Sequence, residues 1–214
     1  MSDPKWLVEQ CMHDGLKYLK DSLGYYWPAK KDSKGNFNAV TENNIALHLA
    51  RSFAKKGFRM WAEVPFVDVN KRLDFFAYHV NEKIAIVLEL KSYIKQESES
   101  LEDLKRLRDI ANSNLANADS VNVEGSKWMY GFVTLLYQNE FAGWWNDPEG
   151  YVPPNRKIFR AECYKRIGEA LAKACIRKTE EIKKWENSCT HAAYALYDEN
   201  TISGIELGYV LGAS

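Results

Sequence analysis

Two stretches in the first quarter of the chain carry apolar residues at the spacing of an α-helix. In the first, Asp3 and Pro4 supply a cap and a first-turn proline, and apolar residues recur to about Ser22. In the second, Thr41 precedes an apolar stripe that ends near Gly57. The pattern predicts two amphipathic helices joined by a polar loop.

Beyond that glycine, the hydrophobic pattern changes from helical spacing to strand spacing. Residues 84–88 are a nearly continuous apolar run, which is typical of a central strand covered on both faces. A later stretch returns to helical spacing, with leucines on one side and charges on the other. The predicted elements are strands at 58–66 (ended by Pro65), 72–79 and 83–93, a helix at 98–117 and a strand at 128–137.

The last third of the chain is predicted as additions to this core. Trp, Pro and Gly are frequent in 139–155, which indicates a loop, and charged residues dominate 156–187, which we interpret as a long helix. That helix suits either a dimer contact or an exposed arm. Two short strands are predicted at 192–197 and 205–211.

Composition bounds the class of protein. The chain has 214 residues, 46% hydrophobic and 27% charged, which is typical of a globular protein and predicts one α/β domain over 1–214. Its 29 basic and 29 acidic side chains cancel, so any nucleic-acid binding needs a local patch. The sequence shows neither a signal peptide nor an apolar stretch of membrane length. We therefore expect a cytoplasmic protein without a membrane partner.

The cysteines and histidines do not follow a zinc motif. The four cysteines form no CxxC pair and have no histidine at zinc spacing, and the four histidines are scattered singly. We expect free, mostly buried thiols, and carboxylates remain as candidate metal ligands. The cysteines are Cys11, Cys163, Cys175 and Cys189.

The connection between the second and third predicted strands brings two carboxylates together. If Asn81 and Glu82 form a two-residue hairpin loop, counting outward pairs Asp74 with Glu89. Directly paired residues share a face with Cβ atoms about 5 Å apart. Lys91 joins that face because side chains repeat every two residues. The turn therefore predicts a cluster of two acids and one lysine.

These charges interrupt an apolar strand, and burying an uncompensated charge is costly. Two adjacent carboxylates repel each other unless they share a proton or a cation, and oxygen ligands suit Mg²⁺ or Mn²⁺. Lys91 can then polarise the attacking water or stabilise charge that develops on a phosphate. The alternative is a structural salt bridge in which Lys91 pairs with Asp74 or Glu89.

Asp74 followed after fourteen residues by Glu89-Leu90-Lys91 resembles the signature of the PD-(D/E)XK nuclease superfamily, the restriction-endonuclease-like fold. The resemblance covers about 41–137, and Leu73 replaces the proline of the motif. It implies an αβββαβ core with a mixed central sheet flanked by helices. The N-terminal helix and the C-terminal additions over 138–214 lie outside the resemblance, and from the sequence pattern we expect extra helices at both ends. The resemblance also implies that Asp74, Glu89 and the backbone carbonyl of Leu90 bind Mg²⁺ or Mn²⁺, and that Lys91 orients or activates water.

The same family often adds an acid from the helix before the sheet. Glu42 stands in the matching place, although acids in a first helical turn also favour the helix dipole without any catalytic duty. Glu63, on the first predicted strand, competes for a similar auxiliary role. Lys71 and Arg72 lie close enough to Asp74 in sequence to hold a substrate phosphate, or are simply solvated surface.

Two adjacent tryptophans in the predicted loop have two possible roles. Trp144 and Trp145 either pack a loop onto the core or stack on flipped or single-stranded bases.

The expected function is a Mg²⁺-dependent nuclease that hydrolyses phosphodiester bonds, with DNA as the expected substrate and a homodimer as an open option. The alternative is a non-catalytic member of the same fold that binds nucleic acid or protein.

Overall fold

The computed structural model describes residues 3–25, 40–66, 71–92, 97–113, 125–136, 139–151, 162–184 and 189–207. Helices and strands alternate irregularly along these segments. The helices are α1 (Pro4–Tyr25), α2 (Glu42–Lys55), α3 (Glu97–Asn112), α4 (Asn139–Asn146), α5 (Glu162–Ala172) and α6 (Glu199–Ser203). The strands are β1 (Arg59–Phe66), β2 (Lys71–His79), β3 (Ile84–Lys91), β4 (Lys127–Leu136), β5 (Ile176–Lys184) and β6 (Cys189–Asp198).

All six of these strands form one mixed sheet, in the order β1-β2-β3-β4-β6-β5. β3 and β4 run parallel, with α3 in the connection between them, and every other neighbouring pair is antiparallel. The predicted α/β class, with a mixed sheet flanked by helices, is confirmed. Both predicted N-terminal helices and the predicted elements between residues 58 and 137 are present with small shifts in their bounds.

Helices cover both faces of the sheet and create two apolar cores. One core packs α3, α4, α5 and α6 against one face, and the other packs α1 and α2 against the opposite face. All but the last residue of β3 are buried, which explains the continuous apolar run in its sequence. The end of this strand is where charged residues replace apolar ones.

Two local predictions need correction. Pro65 does not end β1; it pairs with Arg72 inside the strand, where proline is tolerated because β1 is an edge strand. The turn between β2 and β3 contains four residues, 80–83, because the last paired residues are His79 and Ile84. Lys83 has a left-handed φ of 50° in this turn. One additional residue is unpaired on each side, so the predicted register is unchanged.

The C-terminal part differs most from the prediction. The long helix predicted at 156–187 is wrong, because α5 ends at Ala172 and residues 176–184 form β5. The C-terminal additions are therefore two sheet strands as well as helices, and the predicted strand at 192–197 is confirmed within β6. α4 lies inside the predicted loop, and the part of predicted strand 205–211 that is described, 205–207, is not a strand.

The charged composition of β5 explains the error. β5 is the edge strand next to β6, and charged side chains are common on exposed edge strands because they prevent pairing with another sheet. The segment is predicted as a helix because Lys, Arg and Glu, which dominate it, have high intrinsic helix propensity. Within the described part of the chain, no helix has the length and apolarity needed to cross a membrane.

Candidate active site

The β2–β3 hairpin positions the two acids as the turn predicted. The pairs run from His79 opposite Ile84 to Phe75 opposite Leu88, and the next position in this register sets Asp74 opposite Glu89. The Asp74 carboxylate accepts a hydrogen bond from the backbone N–H of Leu90 at 2.7 Å. Asp74 is therefore fixed against the strand that carries Glu89 and Lys91.

Glu89 is a fully buried carboxylate with one bonded oxygen and one unpartnered oxygen. Its side chain has 0% exposure, and its Oε2 accepts a hydrogen bond from the Arg106 guanidinium at 2.6 Å. Oε1 has no hydrogen-bond partner among the described residues. Burial raises the pKa of Glu89 to about 9; the nearby Asp74 carboxylate also raises it, whereas Arg106 opposes the shift.

Lys91 points towards acids of α3. Its ammonium lies 3.1 Å from an Asp103 oxygen and 3.8 Å from a Glu99 oxygen. Burial lowers the pKa of Lys91, but Asp103, Glu42 and Glu99 together outweigh burial, so the net direction is upward. Among the described ion pairs, Lys91 thus pairs with α3 and not with Asp74 or Glu89, which corrects the partners expected for a structural salt bridge.

Sequence reasoning missed the two α3 residues that complete this charged cluster. Asp103 is 3% exposed, and Arg106, one helical turn later, donates to both Asp103 (3.0 Å) and Glu89 (2.6 Å). Residues three apart on a helix share a face, so the sequence spacing could have predicted that Asp103 and Arg106 pair with each other. Nothing in the spacing indicated that this face turns towards β3 instead of solvent.

Glu42 lies at the border of the cluster. It occupies the first turn of α2, and its Oε1 accepts a hydrogen bond from the backbone N–H of Ser92 at 3.3 Å. Burial raises its pKa, whereas the Lys91 charge lowers it; Asp74 and Asp103 also act on it. Glu42 therefore lies within electrostatic range of Asp74 and Lys91, next to the end of β3.

For the remaining predicted residues, the structure describes only the backbone. The pairs of Ala62 with Phe75 and of Val64 with Leu73 set Glu63 opposite Asp74. Lys71 and Arg72 are the first two residues of β2. The side chains of these three residues lie outside the described part, so their auxiliary and phosphate-binding roles stay predictions.

The oxygen atoms of the site fit a hard divalent cation. Asp74 and Glu89 are adjacent, and the free, buried Oε1 of Glu89 is an orphaned acceptor that a cation would satisfy. The Leu90 N–H faces Asp74, and in a strand the N–H and C=O of one residue face the same neighbour. The Leu90 carbonyl is therefore directed to the Asp74 side, as the predicted ligand set requires.

The tryptophans have a structural explanation instead. Trp144 is 4% exposed and Trp145 is 0% exposed, and the Trp145 indole donates to the Tyr194 carbonyl at 3.1 Å. They pack α4 onto the sheet, which confirms the packing interpretation over base stacking. Cys11 and Cys189 are buried free thiols and Cys175 is a half-buried one; the side chain of Cys163 lies outside the described part.

The arrangement can bind a divalent cation through oxygens and place a lysine beside it. Comparison with models of protein families, with curated proteins and with solved structures found no match to this chain, so the site is characterised by its own geometry.

Proposed function

We propose that this protein is a metal-dependent nuclease that hydrolyses phosphodiester bonds, with DNA as its substrate and Mg²⁺ or Mn²⁺ as its cofactor. The observation that carries the proposal is the buried, unpartnered Oε1 of Glu89 beside Asp74. A buried acceptor left unsatisfied is unfavourable, and a second carboxylate next to it increases the repulsion. Without metal, the raised pKa of Glu89 keeps a proton between the two carboxyls at neutral pH, and a divalent cation would replace that proton and satisfy both groups at once.

The fold supports the same proposal. From α2 to β4 the order of elements is helix, three strands, helix and strand, with β1 to β3 antiparallel and β4 parallel to β3. This is the αβββαβ order that the resemblance to PD-(D/E)XK nucleases implies, and the charged cluster lies on the expected strands. We therefore propose a restriction-endonuclease-like core to which β6 and β5 add a further hairpin.

Each residue of the cluster has a distinct proposed role. Asp74, Glu89 and the Leu90 carbonyl would hold the cation, which when bound supplies Lewis acidity at the scissile phosphate and a more acidic water. Lys91, whose ammonium is oriented by Asp103 at 3.1 Å, would stabilise negative charge that develops on the phosphate or orient the water. Glu42, close to Lys91, would serve as an auxiliary acid.

A second candidate function is supported by the ion pairs themselves. Arg106 already neutralises Glu89 at 2.6 Å, and Asp103 already neutralises Lys91 at 3.1 Å. A charged cluster that is satisfied in this way can serve to lock α3 onto the sheet. On this alternative, the protein is a non-catalytic member of the fold that binds nucleic acid or protein.

Cleavage assays with matched variants test the nuclease proposal. The purified chain is incubated with linear DNA, circular DNA or RNA, in Mg²⁺, Mn²⁺ or chelator. Asp74→Asn and Lys91→Met are compared with Asp109→Asn and Lys173→Met, which change exposed residues outside the cluster. We expect metal-dependent cleavage that falls by at least about 100-fold in the first two variants and is unchanged in the controls.

Two outcomes would contradict the proposal. If none of the three substrates is cleaved by the folded protein with either metal, the binding alternative is favoured. If cleavage is present but equal in all variants, a contaminating activity or another site is responsible. Preference for RNA over DNA would retain the catalytic assignment and change only the substrate.

A further inference from the structure

A second group of metal-ligating side chains lies at the opposite end of the strand order. Glu181, in β5, pairs directly with His191 in β6, and Cys189 is the first residue of β6. The pairing register shifts between Glu181 and Lys183, which marks a β-bulge in β5. One carboxylate oxygen, one thiol sulfur and one imidazole nitrogen from these residues all lie within 4.8 Å of one another.

The buried histidine of this group has a ring nitrogen without a partner among the described residues, whereas the thiol donates a hydrogen bond to the backbone. The Nδ1 of His191 is buried and has no hydrogen-bond partner within the described part of the chain. Cys189 is 5% exposed, and its thiol donates a hydrogen bond to the Lys183 carbonyl oxygen at 3.1 Å, which a bound metal would replace. Glu181 is exposed, so the group is reached from solvent on the side of its carboxylate. A buried imidazole nitrogen without a partner is rare in folded proteins and asks for an explanation.

We propose that Glu181, Cys189 and His191 form a binding site for Zn²⁺. Cysteine sulfur, histidine nitrogen and carboxylate oxygen are the three ligand types that zinc uses in proteins, and three protein ligands leave a fourth tetrahedral position for water. The sulfur and nitrogen donors disfavour Mg²⁺ and Ca²⁺, which require oxygen ligands. This site is independent of the proposed nuclease centre.

The position in the fold indicates what the ion would do. Strand β5 is the edge of the sheet, and the bulge interrupts its pairing with β6 close to the end of β5 at Lys184. An ion held by Glu181 from β5 and by Cys189 and His191 from β6 would connect the two strands at this irregularity. Binding replaces the proton of the Cys189 thiol with the metal, and that proton leaves to solvent.

Titration of the full chain with Zn²⁺ and Co²⁺ tests the site. After removal of bound metals by chelator, Co²⁺ should produce a thiolate-to-metal charge-transfer band, and Zn²⁺ should displace it and raise the melting temperature. Cys189→Ser should abolish the band, and His191→Gln should weaken Zn²⁺ binding by about 100-fold. Glu181→Gln should weaken binding by about 10-fold.

Matched controls distinguish the cluster from adventitious binding. Cys175→Ser changes another free thiol, and His48→Gln changes a histidine on α2, so both should leave the band and the affinity unchanged. Circular dichroism checks that each variant is folded, and the exposed Glu181 provides a variant that does not disturb the core. A cobalt band that persists in Cys189→Ser, an affinity that is equal in all variants, or no Zn²⁺ binding by the folded wild-type chain would overturn the proposal.

Discussion

The β2–β3 and β5–β6 hairpins use the same antiparallel geometry to gather potential metal ligands, yet they gather different ones. The first aligns two carboxylates, Asp74 and Glu89, under α3, where Glu89 is fully buried. The second aligns Glu181 with His191 and adds Cys189 beside a bulge at the sheet edge. Cross-strand pairing therefore decides which side chains lie close together. Their residue types, and whether a helix covers them, decide which metal they can bind.

The difference in cover has a direct electrostatic consequence. α3 supplies Arg106 and Asp103 to the first cluster, so Glu89 and Lys91 each have an opposite charge within hydrogen-bond distance. In the second cluster, the Nδ1 of His191 has no hydrogen-bond partner among the described residues. The oxygen-rich cluster is suited to hard Mg²⁺ and the mixed cluster to Zn²⁺.

A substitution of Glu89 should strongly reduce cleavage and leave the β5–β6 cluster unaffected. Glu89→Gln keeps the shape of the side chain but cannot lose a proton to become an anionic metal ligand, so we expect metal-dependent cleavage to fall by at least about 1,000-fold, or about 4 kcal/mol in activation free energy. Zn²⁺ binding at the β5–β6 hairpin should be unchanged. The measurements are cleavage rates and cobalt absorption, with Glu82→Gln in the turn of the same hairpin as control. Equal cleavage by both variants would remove Glu89 from the reaction.

The second prediction concerns the stability that Arg106 contributes by pairing with Glu89 and Asp103 in the first cluster. Arg106→Met leaves the Glu89 and Asp103 carboxylates without their guanidinium partner, and breaking a buried pair in this way should lower the free energy of unfolding by about 3 kcal/mol. Mg²⁺ should recover part of this loss if Glu89 binds the cation. Urea unfolding with and without Mg²⁺ measures both.

Arg108→Met is the matched control, because Arg108 pairs with Asp109 on the exposed side of α3 and such surface pairs contribute at most about 1 kcal/mol. If the Arg106 and Arg108 variants were equally stable, the buried cluster would not anchor α3. If Mg²⁺ failed to protect the Arg106 variant while it protected the wild-type chain, Arg106 would have a role in forming the metal site.

The smallest effect tests the far end of the β5–β6 hairpin, away from the proposed zinc ligands. Asp198 ends β6 and caps α6, accepting hydrogen bonds from the Thr201 hydroxyl at 2.6 Å and its N–H at 2.9 Å. Asp198→Ala should lower the free energy of unfolding by about 1 kcal/mol at neutral pH and leave Zn²⁺ affinity unchanged. Glu206→Ala, an exposed acid nearby in sequence, is the control.

This contribution should depend on pH in a defined direction. The hydrogen bond from Thr201, helped by Cys175 and Lys5, holds the pKa of Asp198 below its ordinary value of 3.8. A carboxyl with a lowered folded-state pKa stabilises the protein fully above 3.8, and this stabilisation is lost as pH falls through the folded-state value. The difference between wild type and Asp198→Ala should therefore shrink in acid; a difference that grows would contradict the capping role.

The first hairpin was predictable from sequence because its connection is short. Only four residues separate His79 from Ile84, so the apolar run of β3 and the residues before the turn leave little freedom in register. Although the turn has four residues instead of two, the pairing of Asp74 with Glu89 survives, because one residue on each side is simply unpaired. Glu89 and Lys91 then stand out as charged residues in an otherwise apolar strand, which is the sequence signal for the candidate site.

The second hairpin was not predictable in the same way. The segment 176–184 reads as a charged helix, and its strand conformation depends on pairing with β6, which lies next to it only because β6 itself docks on β4. A bulge then sets which residues face each other. Glu181, Cys189 and His191 therefore become neighbours through long-range pairing that local propensity does not encode.

The α/β class, the order of elements from α2 to β4, and the cross-strand position of Asp74 opposite Glu89 could be predicted from the sequence, because short turns and hydrophobic period act locally. Three features could not be predicted in this way: Asp103 and Arg106 turn inward to pair with Lys91 and Glu89, the C-terminal segment extends the sheet, and Glu181 lies next to Cys189 and His191. These depend on how a helix rotates over a sheet and on which strand docks at an open edge, and both are settled by packing of the whole chain.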